Sequence, residues 1–222
     1  MNTKYPGYEQ VAITVGLVIL TVSGDTLKVM LVKRVEEPFE DGWSLPGGFL
    51  KRREALGNAA LRVLKEKAGV EDVYVEQLYT FGDLERDPRA RVITVAYFAL
   101  IPWKELAPPP SDKVSDLMWT PVNRLPKLAF DHKEIVIYAV QRLRAKAGYS
   151  NIVYALMPRQ FRLSELQKMY EIIMDKQLDK RNFRKRMLAS GLLHETGRKD
   201  IAGAHRPAML YRFKKMEIAL LD

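Results

Sequence analysis

Two long apolar segments open the chain. Val11–Val22 and Leu27–Arg34 are rich in β-branched and aliphatic residues, which favours strands over helices. Between them, Ser23-Gly24-Asp25 has the composition of a tight hairpin turn. The chain is therefore predicted to begin with two antiparallel strands.

The apolar spacing then becomes helical. Within Glu54–Ala68 the apolar residues recur three or four positions apart, and Gly69 follows as a typical helix-ending residue. The rest of the first two thirds is predicted to contain strands at Val73–Phe81, Arg91–Ile101 and Leu117–Thr120, a proline-rich loop around Pro108–Pro110, and a helix at Asp131–Lys146. This mixed order of strands and helices predicts an α/β fold.

The last third of the chain has the pattern of a small helical unit. Its first helix is predicted from a capping box, Ser164 and Gln167, and from an apolar stripe that consists of Leu166, Met169, Tyr170 and Ile173. A second helix is predicted from Asp179, a good N-cap residue, to Gly191, with Phe183 and Met187 as its narrow buried stripe.

Strands are predicted at Leu192–Thr196 and Ala208–Phe213, on either side of a Gly197–Pro207 loop. Helix, turn, basic helix and hairpin in this order predict a winged helix-turn-helix domain. The composition changes near Ala147-Gly148-Tyr149, where we place the boundary between a first domain, 1–147, and a second, 148–222.

The formal net charge of +9 is distributed unevenly along the chain. Residues 1–150 contain 21 Lys and Arg against 19 Asp and Glu, whereas residues 151–222 contain 15 against 8. A basic excess confined to one segment indicates a polyanion partner, and nucleic acid is favoured because no amphipathic lipid-binding helix accompanies the charge. A merely solubilising surface is the alternative.

Composition also excludes several classes of protein. No segment has the roughly 18 consecutive apolar residues of a membrane span, and Met1–Gln10 lacks the basic-then-apolar order of a secretory signal. We therefore expect a cytoplasmic chain without a membrane partner. With no cysteine, disulfides, thiolate metal sites and a cysteine nucleophile are excluded.

A long motif spans the first predicted helix. The frame G-x5-E-x7-R-E-U-x-E-E-x-G-U, the Nudix box, is matched at every position but two by Gly48, Glu54, Arg62, Leu64, Glu66, Gly69 and Val70. The preceding segment, Trp43–Gly48, is similar to the loop that precedes this helix in the Nudix family. The resemblance implies a Nudix-type α/β/α sandwich with a mixed sheet.

The two departures from the frame remove its chemistry. Metal-assisted cleavage of a diphosphate requires carboxylates that converge on a hard cation, and the frame places three glutamates on one helix face, where this chain has Val63, Glu66 and Lys67. We expect no catalytic residue, no metal site and no required cofactor. The alternative is a hydrolase of ADP-ribose-like nucleoside diphosphates that uses Mg²⁺, with a carboxylate from elsewhere, such as Glu85.

A pocket suited to a nucleoside diphosphate remains after this loss. Lys67 either pairs with phosphate in place of the metal or extends into solvent, and the sequence leaves both interpretations open. Glu54 and Arg62 are expected to brace the loop and the helix. The expected effector-binding residues are Arg34, Gly47, Gly48, Glu66, Lys67, Arg86 and Arg91.

A basic helix in the second position of a helix-turn-helix is suited to the major groove of DNA. The wing would add contacts to phosphate or to the minor groove. The expected DNA-binding residues are Lys180, Arg181, Asn182, Arg184 and Lys185 on the helix and Arg198, Lys199, His205 and Arg206 in the wing. A charged, solvated helix without a special role is the alternative.

A degenerate Nudix domain followed by such a unit resembles the Nudix-related transcription regulators of bacteria, the NrtR and AraR-like group. Besides the box, the resemblance is carried by Phe81–Arg89, Ala129–His132, Phe161–Gln167, Leu178–Lys185 and His205–Phe213. It implies a homodimer on a palindromic DNA operator and a Nudix domain that senses a small-molecule effector.

The resemblance therefore implies a metabolite-responsive, DNA-binding transcription repressor. Its signal is expected to be ADP-ribose, a related NAD-derived nucleotide, or a sugar such as L-arabinose. Two alternatives from other classes stay open at this point: the hydrolase, and a ligand-binding interaction module that neither cleaves its ligand nor binds DNA.

Overall fold

The structure, a computed structural model, describes residues 7, 9–106, 117–200 and 207–221. The predicted loop at Pro108–Pro110 lies outside these residues. The first part of the chain contains strands β1 (Ala12–Ser23), β2 (Thr26–Lys33), β3 (Trp43–Ser44), β4 (Gly47–Phe49), β5 (Tyr74–Phe81), β6 (Val92–Leu100) and β7 (Leu117–Pro121), with helices α1 (Leu56–Ala68) and α2 (His132–Tyr149).

The opening hairpin is confirmed. Ser23 pairs with Thr26, so the connection between β1 and β2 consists of Gly24 and Asp25 alone. Both residues have positive φ, +56° and +59°, as a two-residue turn that follows the twist of the strands requires. Glycine adopts this conformation without cost, and aspartate is among the residues that tolerate it best.

The strands form a mixed sheet, as predicted, and their order in it is β3-β2-β1-β6-β5. The two central strands, β1 and β6, run parallel from the Ala12–Val92 pair to the Leu20–Leu100 pair. The other pairings are antiparallel, and β4 and β7 add to β1 and β2 respectively. Strand β1 therefore pairs with three other strands, β2, β4 and β6, and lies at the centre of the sheet.

Side chains of β1 alternate between two apolar layers. Val15, Leu17 and Ile19 belong to the layer that contains α1, whereas Val18 and Leu20 belong to the layer that contains α2. Successive residues of a strand point to opposite faces, so a strand buried on both sides is apolar throughout. The predicted α/β/α sandwich is confirmed. Among the described residues, no helix has the length and apolarity needed to span a membrane.

The C-terminal unit contains β8 (Phe161–Arg162), α3 (Leu163–Met174), α4 (Lys180–Ala189), β9 (Leu193–Asp200) and β10 (Ala208–Phe213). The strands form a small sheet in the order β8-β10-β9. The Asp179 side chain accepts the backbone N–H of Asn182 at 2.8 Å, which confirms it as the N-cap of α4. Phe183 and Met187 are the buried residues of α4, so the predicted winged helix-turn-helix is confirmed.

The predicted capping of α3 is wrong by two residues. The helix begins at Leu163, and the Glu165 carboxylate accepts the backbone N–H of Arg162 at 2.7 Å. Ser164 therefore lies inside the first turn. Gln167 instead donates to the carbonyl of Leu178 at 2.9 Å, so it fastens α3 to the turn that leads into α4.

The predicted wing is also shorter than expected. Arg198 and Lys199 belong to strand β9 and not to a loop, because the ladder between β9 and β10 continues to the Asp200–Ala208 pair. The wing residues His205 and Arg206 lie outside the described residues.

Helix α2 connects the two units through a shared core. Ile135, Ala139 and Leu143 belong to the same apolar cluster as Phe98 of β6 and Phe161 of β8. The helix also runs through the predicted domain boundary to Tyr149. The boundary at residues 147 and 148 stays a prediction, but packing across it is continuous.

Shared packing predicts shared unfolding. Leu143 is fully buried, so Leu143→Ala is expected to lower the free energy of unfolding by about 2–5 kcal/mol, the usual cost of a cavity at such a site. Urea unfolding should be followed by tryptophan fluorescence, since Trp43, Trp103 and Trp119 all precede α2, and by far-ultraviolet circular dichroism. We expect both signals to report one transition at a lower urea concentration.

Ile137→Ala is the matched control, because Ile137 lies on the exposed side of the same helix. It should leave the transition nearly unchanged. Two separate transitions, with Leu143→Ala affecting only one of them, would contradict a shared core.

Candidate functional sites

A cavity of about 670 Å³ opens beside the N-terminal half of β1. Its walls come from elements far apart in sequence: Thr14–Gly16 of β1, the end of β2, the segment of β3 and β4, and the start of β6. The Thr14 and Thr94 hydroxyls share a hydrogen bond of 2.6 Å on adjacent strands. The cavity therefore depends on the central parallel pair of strands.

Gly47 and Gly48 line the cavity, as predicted. A Cβ atom on Gly47 would lie 2.9 Å from the carbonyl oxygen of Val15, so only glycine allows β4 to approach β1 this closely. A Cβ atom on Gly48 would meet Val63 at 3.8 Å, an ordinary contact. The close approach of Gly47 holds this loop against the cavity wall.

Arg34 places a cation in the cavity wall. Its guanidinium donates to the carbonyls of Pro38 at 2.8 Å and Glu36 at 3.0 Å, and it lies 4.9 Å from the ring centre of Phe130. Burial, together with the nearby charge of Arg89, lowers the pKa of Arg34 from its ordinary value. Backbone carbonyls orient the group but do not cancel its charge.

Arg86 also lines the cavity, but an acid neutralises it. Its side chain is only 4% exposed and donates twice to Asp131, at 2.8 and 2.6 Å. Asp131 precedes the first residue of α2. Arg86 therefore fixes the start of α2 against the cavity wall, a structural role beyond the effector contact that the sequence predicted.

Several cavity residues were missed in the sequence. Arg89, held by two hydrogen bonds to Asp87 at 3.0 and 2.8 Å, lies near the rings of Phe49 and Phe130 at the cavity. The Arg89 guanidinium lowers the pKa of the Asp87 carboxyl. These residues, with His132, fall in segments that carry the family resemblance, which was the available signal for them.

Two predicted effector residues do not reach the cavity. The Glu66 carboxylate turns to Arg62, 3.4 Å away, on the exposed side of α1. Arg91 lies just before β6 and faces Glu9 at 3.9 Å. The next residue along the chain lines the cavity in each case: Lys67 follows Glu66, and Val92 follows Arg91.

Glu54 and Arg62 brace the loop before α1, as expected. The Arg62 guanidinium donates to the Glu54 carboxylate at 2.7 and 2.9 Å and to the carbonyl of Phe49 at 3.2 Å. These hydrogen bonds, with one from the backbone of Lys51, lower the pKa of Glu54 to about 2. Helix α1 begins only at Leu56, because Glu54 belongs to this brace.

The residues at the degenerate box do not fit a magnesium site. Val63 is 1% exposed and packs in the apolar layer of α1. Lys67 lines the cavity with a cationic side chain. Glu85 belongs to a separate cleft with Asp83 and Glu134. Within the described residues, no group of three His, Cys, Asp or Glu side chains is placed to hold a metal ion.

The predicted DNA-binding helix presents a basic face. All five predicted residues of α4 are exposed, and so are the two on β9 that the structure describes: Lys180, Arg181, Asn182, Arg184, Lys185, Arg198 and Lys199. Burial of Phe183 and Met187 on the opposite side of α4 fixes this orientation.

Helix α2 lies between the cavity and this basic face. At its start, His132 lines the cavity and its Nδ1 accepts the backbone N–H of Leu45 at 3.0 Å. Near its end, the Arg186 guanidinium of α4 donates to the carbonyl of Gly148 at 3.1 Å. Arg144 donates to the carbonyl of Ile173, at the end of α3, at 3.1 Å. One helix thus contacts both candidate sites.

Comparison with known proteins assigns both parts of the chain. The NUDIX domain family model matches residues 11–139, and the model of the NrtR DNA-binding winged helix domain matches residues 153–213. A curated relative from Acinetobacter baylyi, named as the ADPR responsive transcriptional repressor NtrR, is 40% identical over 210 residues, which cover 93% of this chain and 83% of the relative.

Solved structures agree with this assignment. The crystal structure of Shewanella oneidensis NrtR complexed with a 27mer DNA has a TM-score of 0.81 and 38% identity, covering 91% of this chain and 93% of that one. The NUDIX domain of the same NrtR, complexed with ADP ribose, has a TM-score of 0.56 and 38% identity, covering 63% of this chain and 94% of that one.

Fold and sites together define a NUDIX domain joined to a DNA-binding winged helix domain. The winged helix model and the curated relative, which matches 93% of this chain, are more specific. The chain belongs to the NrtR family of NUDIX-related transcription regulators. The family predicted from the sequence is confirmed.

The partly buried His132 gives the protein a predictable pH dependence. Burial lowers the pKa of His132 to about 4 from 6.5, so between these values the unfolded chain binds a proton that the folded chain does not. The contribution of neutral His132 to the free energy of unfolding is therefore fully present above pH 6.5 and decreases as the pH falls towards 4. Urea unfolding of His132→Asn, whose side-chain oxygen can accept the Leu45 N–H without titrating, should show a smaller loss.

The His132 resonances followed by NMR should titrate well below pH 6. Titration near 6.5, or an identical acid destabilisation in the variant and the parent protein, would contradict this assignment.

Proposed function

We propose that the protein is an ADP-ribose-responsive transcription repressor that binds DNA through its winged helix. The observation that carries the proposal is the similarity to a DNA-bound NrtR over both parts of the chain, with an exposed basic helix in the matching domain. The repressor from Acinetobacter baylyi supports the same conclusion at 40% identity.

The DNA contact follows from the chemistry of α4. Arginine donates to the guanine edge in the major groove, and arginine or lysine neutralises phosphates. Arg181, Arg184 and Lys185 form an exposed basic face that is suited to both. The Arg186 guanidinium donates to the carbonyl of Gly148, and this hydrogen bond contributes to the orientation of the helix. We propose a homodimer on a palindromic operator, with half-sites about one helical turn apart.

The cavity favours a nucleotide over a neutral sugar. It combines the cationic Arg34 and Lys67 with the aromatic rings of Phe49 and Phe130, which suits a ligand with phosphates and a base. L-arabinose has no charge to pair with these cations. The NUDIX domain of a relative was crystallised with ADP ribose, and we assign the same effector to this cavity, which requires no cofactor.

Hydrolysis of the effector is not part of the proposal. Val63 and Lys67 replace two carboxylates that the Nudix box needs to assemble a metal. The cytoplasmic location predicted from the sequence stays a prediction. Relief of repression then requires that ADP-ribose binds preferentially to a conformation with lower affinity for the operator.

The proposal is tested by fluorescence anisotropy with a labelled duplex from the upstream region of the gene. We expect tight binding that depends on the palindrome, decreases steeply with salt, and is reversed by ADP-ribose but not by L-arabinose. Arg184→Ala should weaken DNA binding and reduce the salt slope by about one, while its affinity for ADP-ribose stays unchanged.

Lys133→Ala is the control, because this exposed lysine lies at the cavity end of α2 and not on α4. Weak binding to every duplex, insensitive to Arg184→Ala, would refute the proposed DNA contact. Reversal of DNA binding by L-arabinose but not by ADP-ribose would refute the assignment of ADP-ribose as the effector.

A further inference from the structure

We infer that the cavity binds its nucleoside diphosphate without a divalent cation, and that the Lys67 ammonium supplies the positive charge that a metal provides in the Nudix frame. The inference rests on the proposed function and specifies how the cavity recognises the effector.

Lys67 lies at the frame position of a metal-binding carboxylate and faces the cavity. It belongs to the last turn of α1, is partly buried, and lines the same cavity as Arg34 and Gly48. Lysine in place of the glutamate of the frame reverses the charge at this position. The helix therefore presents a cation to the place from which a carboxylate would otherwise hold a metal.

The other cavity cations are mostly neutralised by acids. Arg86 pairs with Asp131, and Arg89 pairs with Asp87. Arg34 is held by backbone carbonyls. Within the part of the chain that the structure describes, neither Arg34 nor Lys67 has a carboxylate partner. Lys33, which also lines the cavity, pairs with Asp41 at 3.0 Å. Asp87, Glu36 and Glu37 act on Arg34 from nearby but make no ion pair with it. Arg34 and Lys67 therefore remain available to pair with a partly desolvated diphosphate.

The same geometry opposes a metal. Val63 contributes no donor and is enclosed in the core, and Glu66 is engaged with Arg62. Repulsion between Lys67 and a divalent cation would further reduce metal affinity. Direct pairing of phosphate with an ammonium also leaves no metal-bound water for hydrolysis, so the effector stays intact while it is bound.

The test is calorimetric titration of the full-length protein with ADP-ribose, in EDTA and separately in Mg²⁺. We expect equal dissociation constants in both buffers, and no release of AMP during either titration. Mg²⁺-dependent binding by the unmodified protein would overturn the inference.

Variants of Lys67 test its role. Lys67→Met should weaken ADP-ribose binding in EDTA by about tenfold or more, the usual effect of losing a hydrogen bond to a charged group. Lys67→Glu should weaken it further, and Mg²⁺ should restore part of the loss. An unchanged dissociation constant for Lys67→Met would overturn the role of Lys67.

Lys65→Glu is the matched control. Lys65 lies on the same helix, is 68% exposed, and pairs with Glu71 outside the cavity, so the same charge change there should leave binding unaltered. Urea unfolding of each variant establishes that it is folded. Failure of the unmodified protein to bind ADP-ribose in either buffer would refute the proposed function itself, which separates the two conclusions.

Discussion

Helix α2 packs against the sheet along its first turns and against the winged helix along its last, and both sites depend on this packing. Its buried side chains join the apolar layer beneath β1 and β6 to the core around Phe161 and Phe213. At one end the Arg86–Asp131 pair ties the helix to the cavity wall; at the other, Arg186 and Arg144 tie it to α4 and α3. A displacement of the helix start must therefore be accommodated by the DNA-binding unit as well.

The distribution of paired and unpaired charge separates structural from recognition roles. Arg62 and Arg86 are held by carboxylates and organise the loop before α1 and the start of α2. Arg34 and Lys67 have no such carboxylate partner among the described residues and face the cavity. Arg62 and its partner Glu54 are retained positions of the Nudix frame, and here they serve as scaffold. Lys67 is a departure from the frame, and in the proposed recognition of the diphosphate it places a cation where the frame has a metal-binding carboxylate.

Periodicity and turn chemistry were sufficient to predict most of the helices and strands, and the family resemblance predicted how the sheet and helices are layered. The Gly24–Asp25 turn, the glycine that ends α1 and the Asp179 cap are local features whose physical requirements appear directly in the sequence. The shared core could not be predicted in this way, because local patterns do not show which apolar faces meet. The sequence boundary at residue 147 consequently falls inside the last turn of α2.

The candidate cavity was only partly predictable. Gly47, Gly48 and Lys67 were found because the motif fixes their spacing. Glu66 was misplaced although the motif fixes its spacing, because its carboxylate pairs with Arg62 outside the cavity. Arg91 was misplaced because charge alone does not show which way a side chain points. Arg89 and Phe130 lie on loops. Their contacts with Phe49 of β4 and with Arg34 depend on long-range packing that no local pattern reveals.

Thermodynamic linkage tests most directly whether one folded body couples the cavity to the basic helix. ADP-ribose affinity should be measured by calorimetry with the protein alone and with the protein saturated by operator DNA. If the sites are coupled, DNA must weaken ADP-ribose binding by the same factor by which ADP-ribose weakens DNA binding. Equal affinity for ADP-ribose in both states would show that the cavity and the recognition helix are independent, and would contradict the account.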